Sequence, residues 1–147
     1  MNLNIIKDDS WKICEVCDNE GNSPLLAWFN GLNKKYQGSV RRMLAIINTV
    51  ATDRAGPTLL KKDISHEVNK NESIYEFIAG DLRLLWFYSK DERRMIVCGC
   101  QHLKKSQKAN KIEVPRIIDI KKEYIASYRT GEIIYFKDGK KVERSYE

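Results

Sequence analysis

The sequence predicts an α+β fold in which an N-terminal strand is followed by a helical hairpin, an antiparallel three-stranded meander, a C-terminal helix and a terminal β-hairpin. Apolar residues recur at helical spacing between Pro24 and Val50, and again after about Glu113. Between them, residues 74–100 form three short runs rich in β-branched and aromatic residues. A chain of 147 residues, 42% of them hydrophobic and 31% charged, is expected to form one domain around a packed core.

The first half of the chain is predicted to contain one strand and two helices. Trp11–Cys17 is a short β-prone segment that ends in a cluster of turn-forming residues. Ser23 supplies a helix cap and Pro24 a favourable first position, so the first helix is predicted over Pro24–Lys35. Ser39 is expected to cap a second helix over Ser39–Arg54. The two helices would form a hairpin.

The second half is predicted to contain the meander and a third helix. Three strands are predicted over Ile74–Ala79, Leu82–Tyr88 and Met95–Cys100, and the short links between them favour consecutive antiparallel pairing. The third helix is predicted over Glu113–Ala126. Pro115 is tolerable there only in the first turn, because proline lacks the backbone N–H that later turns require.

The last residues, 128–147, are predicted to form a hairpin around Asp138-Gly139, which joins Ile133–Phe136 to Lys141–Arg144. An isolated two-stranded hairpin is marginal in water, so this one must pack on another surface. We expect it to extend the domain formed by residues 1–127 by packing on its sheet edge. The alternative is packing on a partner or on a second copy of the chain.

The net charge of +6 favours a polyanionic partner, and the excess is concentrated in two blocks. Residues 34–62 carry +6, and residues 101–127 carry +4. No apolar run approaches the roughly 18 residues that span a bilayer, and the N-terminus lacks the pattern of an export signal. The sequence therefore predicts a cytoplasmic protein without a membrane partner.

Four cysteines permit a zinc-site interpretation, because paired thiolates are good zinc ligands. Cys14 and Cys17 are three positions apart in a predicted strand, so they would point to opposite faces. Cys98 and Cys100 are closer together than the usual zinc-knuckle spacing. We therefore expect buried reduced thiols, no metal and no cofactor, and we keep a zinc-bearing interaction module as a further alternative.

The segment from 74 to 124 resembles the phage-derived branch of the HigB-like toxins in the RelE/ParE superfamily. Three motifs carry the resemblance: Ile74-Tyr75-Glu76-Phe77, Gly80-Asp81-Leu82-Arg83, and Lys104-Lys105-Ser106-Gln107-Lys108. In that branch an arginine opens the strand after a Tyr-Glu strand, and a Lys-Lys-x-Gln-Lys loop precedes the last helix. The resemblance covers about residues 11–126 and implies a RelE/ParE-like fold for a toxin domain over residues 1–127.

The resemblance also implies a function. The protein would be the toxin of a type II toxin–antitoxin system, a ribosome-dependent mRNA endoribonuclease that uses no metal. Its implied partners are the ribosome, mRNA and a cognate helix-turn-helix antitoxin, and it would exist as a monomer or as a toxin–antitoxin hetero-oligomer. The alternative is a non-catalytic ParE-like toxin that poisons DNA gyrase, because the fold is shared and Ile78 stands where many members carry arginine.

The candidate catalytic residues are basic, because metal-free RNA cleavage needs a proton acceptor, a proton donor and cations around the phosphate. Arg83 offers a planar fork that matches phosphate oxygens, although a surface pair with Asp81 or Glu76 is the alternative. His102 has an ordinary pKa near neutrality and can serve as acid or base, or simply pack where the family has an aromatic residue. The three lysines of the loop, Lys104, Lys105 and Lys108, can hold the RNA backbone, or can form an ordinary solvated loop.

Further RNA-binding candidates lie on the predicted helical hairpin and near the C-terminus. The basic block there comprises Lys34, Lys35, Arg41, Arg42, Arg54, Lys61 and Lys62. It suits contact with rRNA, and the alternative is an amphipathic helix face with surplus charge. Tyr128 is a candidate for stacking on a base, and Tyr124 is expected to belong to the core.

Overall fold

A computed structural model describes residues 1–104 and 108–143, with the side chains of 108–110 excepted. In these ranges the chain forms eight strands and three α-helices. They are β1 (Asn2–Asp8), β2 (Lys12–Val16), α1 (Pro24–Gly31), α2 (Gln37–Thr52), β3 (Ser65–Asn69), β4 (Ile74–Ala79), β5 (Leu82–Tyr88), β6 (Met95–Leu103), α3 (Lys108–Arg129), β7 (Ile134–Lys137) and β8 (Lys140–Lys141). Short 3-10 turns lie at Lys34–Tyr36 and Gly56–Leu59.

All eight strands join one mixed sheet in the order β3-β4-β5-β6-β2-β1-β7-β8. The β2–β6 and β1–β7 pairs are parallel, and the other pairs are antiparallel. The protein is thus an α+β protein dominated by its sheet. The predicted RelE/ParE-like layout of a helical hairpin on a small meander is wrong, because the meander β4-β5-β6 is only one part of an eight-stranded sheet.

Two strands that the sequence did not predict account for part of this difference. β1 contains Asn, Lys and Asp, which are weak strand formers, and it is held as a strand by pairing with β2 on one side and β7 on the other. β3 has the sequence Ser-His-Glu-Val-Asn, in which Val68 alone is aliphatic. It is an edge strand that pairs only with β4. Tertiary pairing rather than local pattern therefore defines β3, whereas β1 also has a short polar–apolar alternation over Asn2-Leu3-Asn4-Ile5.

The helices cover the two faces of the sheet with separate cores. Helices α1 and α2 pack on one face, where Phe29, Met43, Ile47 and residues of β4 and β5 form the first core. Helix α3 packs on the other face, where Ile117 and Tyr124 join a second core. Successive strand residues alternate between these faces, so each central strand contributes to both cores.

The helix boundaries differ from the predicted ones for local reasons. The Ser23 side chain caps α1 by accepting a hydrogen bond from the Leu26 N–H at 3.1 Å, but α1 ends at Gly31 rather than Lys35. Helix α2 begins two residues before Ser39, which is therefore not its cap. Helix α3 begins at Lys108 rather than Glu113, so Pro115 lies inside the helix and not in its first turn. Pro115 is exposed, where water can satisfy the carbonyl that its missing N–H would have bound.

The C-terminal hairpin extends the sheet next to β1. β7 pairs in parallel with β1, and Asp138 and Gly139 both have positive φ angles in the turn to β8, as a tight hairpin turn requires. Phe136 is buried against Gly21, where a Cβ atom would lie 2.5 Å from the phenyl ring. Within the described part of the chain, no helix is both long and apolar enough to cross a membrane.

Candidate functional site

Four polar side chains lie side by side across the strands β3 to β6, and we call them the polar row: His66, Glu76, Arg83 and His102. His66 is in register with Glu76, and Arg83 is in register with His102. They share the α3 face of the sheet, because strand residues alternate and the neighbours Ile74, Leu85 and Phe87 belong to the α3-side core. The row therefore places four titratable groups beside an apolar core.

His66 and Glu76 form the end of the row nearest the edge strand. The His66 Nε2 atom lies 3.0 Å from Glu76 Oε1, and its Nδ1 atom lies 3.0 Å from the Lys62 carbonyl oxygen. A carbonyl and a carboxylate only accept hydrogen bonds, so both contacts are satisfied when the ring carries a proton on each nitrogen. The geometry thus places the His66 ring between two hydrogen-bond acceptors, one of which is the Glu76 carboxyl group.

Arg83 is anchored by the turn that joins β4 to β5. Its Nη1 atom donates to the carbonyl oxygens of Gly80 at 2.6 Å and Leu82 at 3.0 Å. Its Nε atom lies 4.0 Å from Glu76 Oε1, which is an ion-pair distance but too long for a hydrogen bond. The pair with Glu76 that the sequence left as an alternative is therefore present, and the guanidinium is fixed in position.

A bulge in β6 brings His102 opposite Arg83. Leu85 pairs with Gly99 but Arg83 pairs with His102, so β6 contains one more residue than β5 in this interval. Cys100 lies within the bulge at a positive φ of 52°. Without the extra residue, Gln101 would stand opposite Arg83. Bulges re-aim side chains in this way and are common beside active sites.

The bulge region also determines which nitrogen of His102 is available. Its Nδ1 atom lies 2.8 Å from the Cys100 carbonyl oxygen, so Nδ1 carries the proton of this hydrogen bond. In the neutral ring Nε2 is then a bare acceptor, and in the imidazolium it is a donor. His102 can therefore present either form of Nε2 to a neighbouring group.

The row is almost closed to solvent, and some of its buried polar atoms lack a hydrogen-bond partner. The exposed fractions are 3% for Glu76 and 9% for both Arg83 and His102. Among the described residues, Glu76 Oε2, Arg83 Nε and His102 Nε2 are buried without a hydrogen-bond partner. Most buried polar atoms in proteins have a partner, so three such atoms on adjacent strands require an explanation. They comprise an acceptor, a cationic donor and an imidazole nitrogen.

The lysine loop is only partly described. Lys104 is exposed two residues after His102, and its backbone N–H donates to the Asp81 carbonyl oxygen at 2.8 Å. Lys105 and the side chain of Lys108 lie outside the described residues. The structure therefore places one lysine of the predicted set beside the row.

The basic block is exposed and meets the row only at its border. Lys34, Lys35, Arg41, Arg42, Arg54, Lys61 and Lys62 are all exposed. Helix α2, which carries two of these arginines, packs on the face of the sheet opposite the row. Two contacts connect the block to the row. The Lys62 carbonyl oxygen contacts His66 Nδ1, and the Arg42 side chain lies beside Gly80, whose carbonyl oxygen accepts a hydrogen bond from Arg83.

Tyr128 lies far from the row. It is twenty positions after Lys108 in α3, which corresponds to about 30 Å at 1.5 Å per residue. Its hydroxyl donates to the Asp91 carbonyl oxygen at 3.2 Å and to Glu92 at 3.1 Å. Tyr124 lies in the core and bonds to Ser89, and burial raises its pKa to about 12. The structure brings neither tyrosine to the row.

The cysteines do not assemble into a metal site. Cys14 belongs to the α3-side core and Cys98 to the opposite core, and all four thiols are free. Burial raises the pKa of Cys14 to about 12 and the pKa values of Cys17 and Cys100 to about 11, so thiolate is scarce at neutral pH. No group of three or more His, Cys, Asp or Glu in the described residues could hold a metal ion.

Sequence reasoning missed His66 and treated Glu76 only as a possible partner of Arg83. A signal for Glu76 existed, because it interrupts an apolar alternation formed by Ile74 and Ile78 on one face of β4. His66 had no comparable signal, since β3 lacks an apolar period.

No protein-family model matches the chain, and no curated protein matches it either. The chemistry of the polar row and the charge of the surrounding surface are therefore the features from which a function can be argued.

Proposed function

We propose that the protein is an endoribonuclease whose active site is the polar row. The observation that carries the proposal is the set of three unpartnered buried atoms on adjacent strands, Glu76 Oε2, Arg83 Nε and His102 Nε2. Cleavage of RNA by its own 2′-oxygen needs a proton acceptor, a proton donor and a cation near the phosphate. The row supplies one group for each requirement.

The reaction follows from these roles. Glu76 Oε2 takes the proton of a ribose 2′-hydroxyl, and the 2′-oxygen attacks the adjacent phosphorus atom. The bond from phosphorus to the 5′-oxygen breaks as His102 Nε2 donates its proton to the leaving oxygen. The products are a 2′,3′-cyclic phosphate and a 5′-hydroxyl, while Glu76 has gained a proton and His102 has lost one.

Arg83 and His66 hold the reacting groups in place. Arg83 Nε can donate to a phosphate oxygen while Nη1 stays bound to the turn carbonyls, so its charge is positioned before the reaction begins. His66 binds Glu76 Oε1 and leaves Oε2 available as the base. Lys104 is the neighbouring exposed cation that can attract the RNA backbone.

The burial of the row supports an enzyme that acts only on a larger target. With Glu76 3% exposed, a ribose must displace part of the layer above the row before it reaches the base. Binding energy from a large partner can drive such an opening, which makes activity conditional on that partner. This supports cleavage of mRNA on the ribosome rather than of free RNA.

In biological terms, we propose that the protein is a type II toxin that acts in the cytoplasm, as a monomer or bound to a helix-turn-helix antitoxin. Its supports are the Tyr75-Glu76 and Arg83 motifs, the Lys104–Lys108 sequence and the net charge of +6. The sheet topology gives no support to this assignment. The exposed basic block, from Lys34 to Lys62, is suited to contact with rRNA phosphates.

The anchoring of Arg83 favours a second candidate, a non-catalytic toxin that binds DNA gyrase. The guanidinium is bound to two main-chain carbonyls and lies near Glu76, as in a purely structural ion pair. In that case mRNA stays intact, and gyrase–DNA complexes accumulate.

Cleavage of mRNA on programmed ribosomes tests the first proposal. Glu76→Gln and His102→Gln keep side-chain size but remove the base and the acid, so each is expected to lower the cleavage rate about 10²- to 10⁴-fold. Arg93→Gln, at an exposed cation outside the row, is the matched control and is expected to cleave normally. Circular dichroism verifies that each variant is folded.

The chemical ends of the RNA products and the cleavage rates decide whether the row is the active site. A 2′,3′-cyclic phosphate that disappears in the Glu76→Gln and His102→Gln proteins supports the row as the active site. Folded row variants that cleave at the normal rate contradict it. Intact mRNA together with trapped gyrase–DNA complexes would instead support the second candidate, a toxin that binds DNA gyrase.

A further inference from the structure

A cavity lies against the face of β4 and β5 that is opposite the polar row, and His66 of the row lies on its border. It has a volume of about 410 Å³ and is bounded by Pro57 and Leu60, by Lys62, and by the aromatic residues Tyr75, Trp86 and Tyr88. This volume is within the range of small-ligand pockets, about 300 to 1,000 Å³. We call it the aromatic pocket.

The inner wall of the aromatic pocket is a cluster of three rings. Tyr75 stacks on Trp86 with ring centres 4.6 Å apart and an interplanar angle of 18°. Tyr88 meets Trp86 edge-on at 5.0 Å and Tyr75 edge-on at 5.3 Å. Flat π surfaces of this kind stack favourably on planar heteroaromatic rings and have little preference among them.

One hydrogen-bond donor in this wall lacks a partner. Trp86 is 1% exposed, and its Nε1 atom is buried without an acceptor among the described residues. An indole N–H can only donate, so the group that satisfies it must be an acceptor. The nearby Trp11 is satisfied, because its Nε1 donates to the Arg54 carbonyl oxygen at 3.0 Å. Trp86 therefore provides a free donor at the wall of the pocket.

The rim of the pocket carries a cation. Lys62 is exposed and lines the opening, and Lys61 precedes it in the chain. Glu67 also lines the opening and carries the opposite charge. Lys62 is a rim cation that can attract an incoming anion.

We propose that the aromatic pocket binds a nucleotide, as a free mononucleotide or as an unpaired residue of RNA. The base stacks on the tyrosine rings, a ring nitrogen or carbonyl of the base accepts the Trp86 N–H, and the phosphate lies near Lys62. This inference does not rest on the proposed cleavage reaction, because it uses none of the row's unpartnered atoms, although His66 of the row also lines the pocket.

Indole signals in NMR spectra of the ¹⁵N-labelled protein test the proposal. The chain has three tryptophans, and Trp86→Phe assigns the signal of Trp86 by its disappearance. Titration with AMP, GMP, CMP or UMP is expected to shift the Trp86 indole signal saturably downfield with at least one of them. The signal of Trp28, on α1, is expected to stay in place.

Charge variants and two probes identify the ligand groups. Lys62→Gln is expected to weaken binding of the mononucleotide about threefold, the size of an exposed ion pair, and to leave binding of the nucleoside unchanged. Lys61→Gln is the matched control. A single-stranded hexanucleotide that binds more tightly than the mononucleotide identifies RNA as the source, and the reverse order identifies a free nucleotide.

The proposal is overturned if no mononucleotide and no hexanucleotide shifts the Trp86 signal, or if inorganic phosphate alone produces the same shift. The His102→Gln protein separates the two proposals, because His102 does not line the pocket and the variant is expected to bind nucleotide normally while it fails to cleave RNA. Loss of cleavage with retained binding, or the reverse, shows which of the two sites is correctly assigned.

Discussion

The two faces of the β4–β5 hairpin have opposite chemistry although they belong to the same thirteen residues of strand. On the α2 side, Phe77 and Trp86 stack at 4.9 Å within a close-packed aromatic cluster. On the α3 side, Glu76 and Arg83 lie among apolar neighbours with unpartnered atoms. The α2 side is filled by aromatic and apolar packing and leaves the Trp86 N–H without a partner, whereas the α3 side holds charged side chains that are only partly paired.

This difference indicates which face is maintained for stability and which for function. Apolar burial stabilises the folded state, whereas buried charges lose hydration that an ion pair seldom recovers in full. A hairpin selected only for stability would have apolar residues on both faces. The polar row is therefore the part of the hairpin whose presence needs a functional reason.

The largest effect on stability is expected from the aromatic face. Phe77 is fully buried, so Phe77→Ala removes its transfer free energy and leaves a cavity. The free energy of unfolding should fall by about 3 to 5 kcal/mol. Urea denaturation measures it, and a loss below about 1 kcal/mol would show that this face is loosely packed and that the comparison between the faces is wrong.

A smaller and more informative effect is expected in the polar row. Arg83→Met alone should lower the free energy of unfolding by about 3 kcal/mol, because it leaves the Glu76 carboxylate without a buried cation. Adding Glu76→Leu should restore the stability of the original protein or exceed it by about 1 to 4 kcal/mol, while RNA cleavage stays absent. A double variant less stable than Arg83→Met would mean that the row itself holds the fold together.

The smallest effect is expected at the edge of the row. The His66 side chain is 38% exposed, so water screens its pair with Glu76. His66→Gln should change the free energy of unfolding by less than about 1 kcal/mol. If His66 positions Glu76, the same change should still lower the cleavage rate. Normal cleavage by this variant would limit the active site to Glu76, Arg83 and His102.

Local sequence pattern was sufficient to predict the strands that are buried on both faces. The predicted strands over 74–79 and 82–88 match β4 and β5, since their dense β-branched and aromatic runs and the Gly80-Asp81 turn define both ends. It was insufficient for β3, whose polar sequence becomes a strand only by pairing with β4. β1 was missed although Asn2-Leu3-Asn4-Ile5 alternates polar and apolar residues, which is a strand pattern.

In the candidate site, too, the sequence indicated some of the residues but not the contacts between them. Arg83 was singled out because its planar fork matches phosphate oxygens and because the resemblance has an arginine at the start of this strand, and His102 because histidine is a common acid or base in catalysis. Arg83 and His102 stand opposite each other only because of the β6 bulge at Cys100. The contact of His66 with Glu76 depends on the pairing of an edge strand that the sequence did not predict. A bulge shifts which residues face one another by one position, and no local pattern records that shift.

The sequence by itself determined the charge of the molecule, the helical and β-rich stretches and the basic residues that could meet a polyanion, because these depend on composition and on spacing along the chain. Only the tertiary structure decided the order of the strands, the position of α2 on the face opposite the row and the enclosure of Glu76, Arg83 and His102. Those features arise from pairing and packing between residues distant in the sequence, and such contacts are selected by the free energy of the whole fold rather than by any one segment.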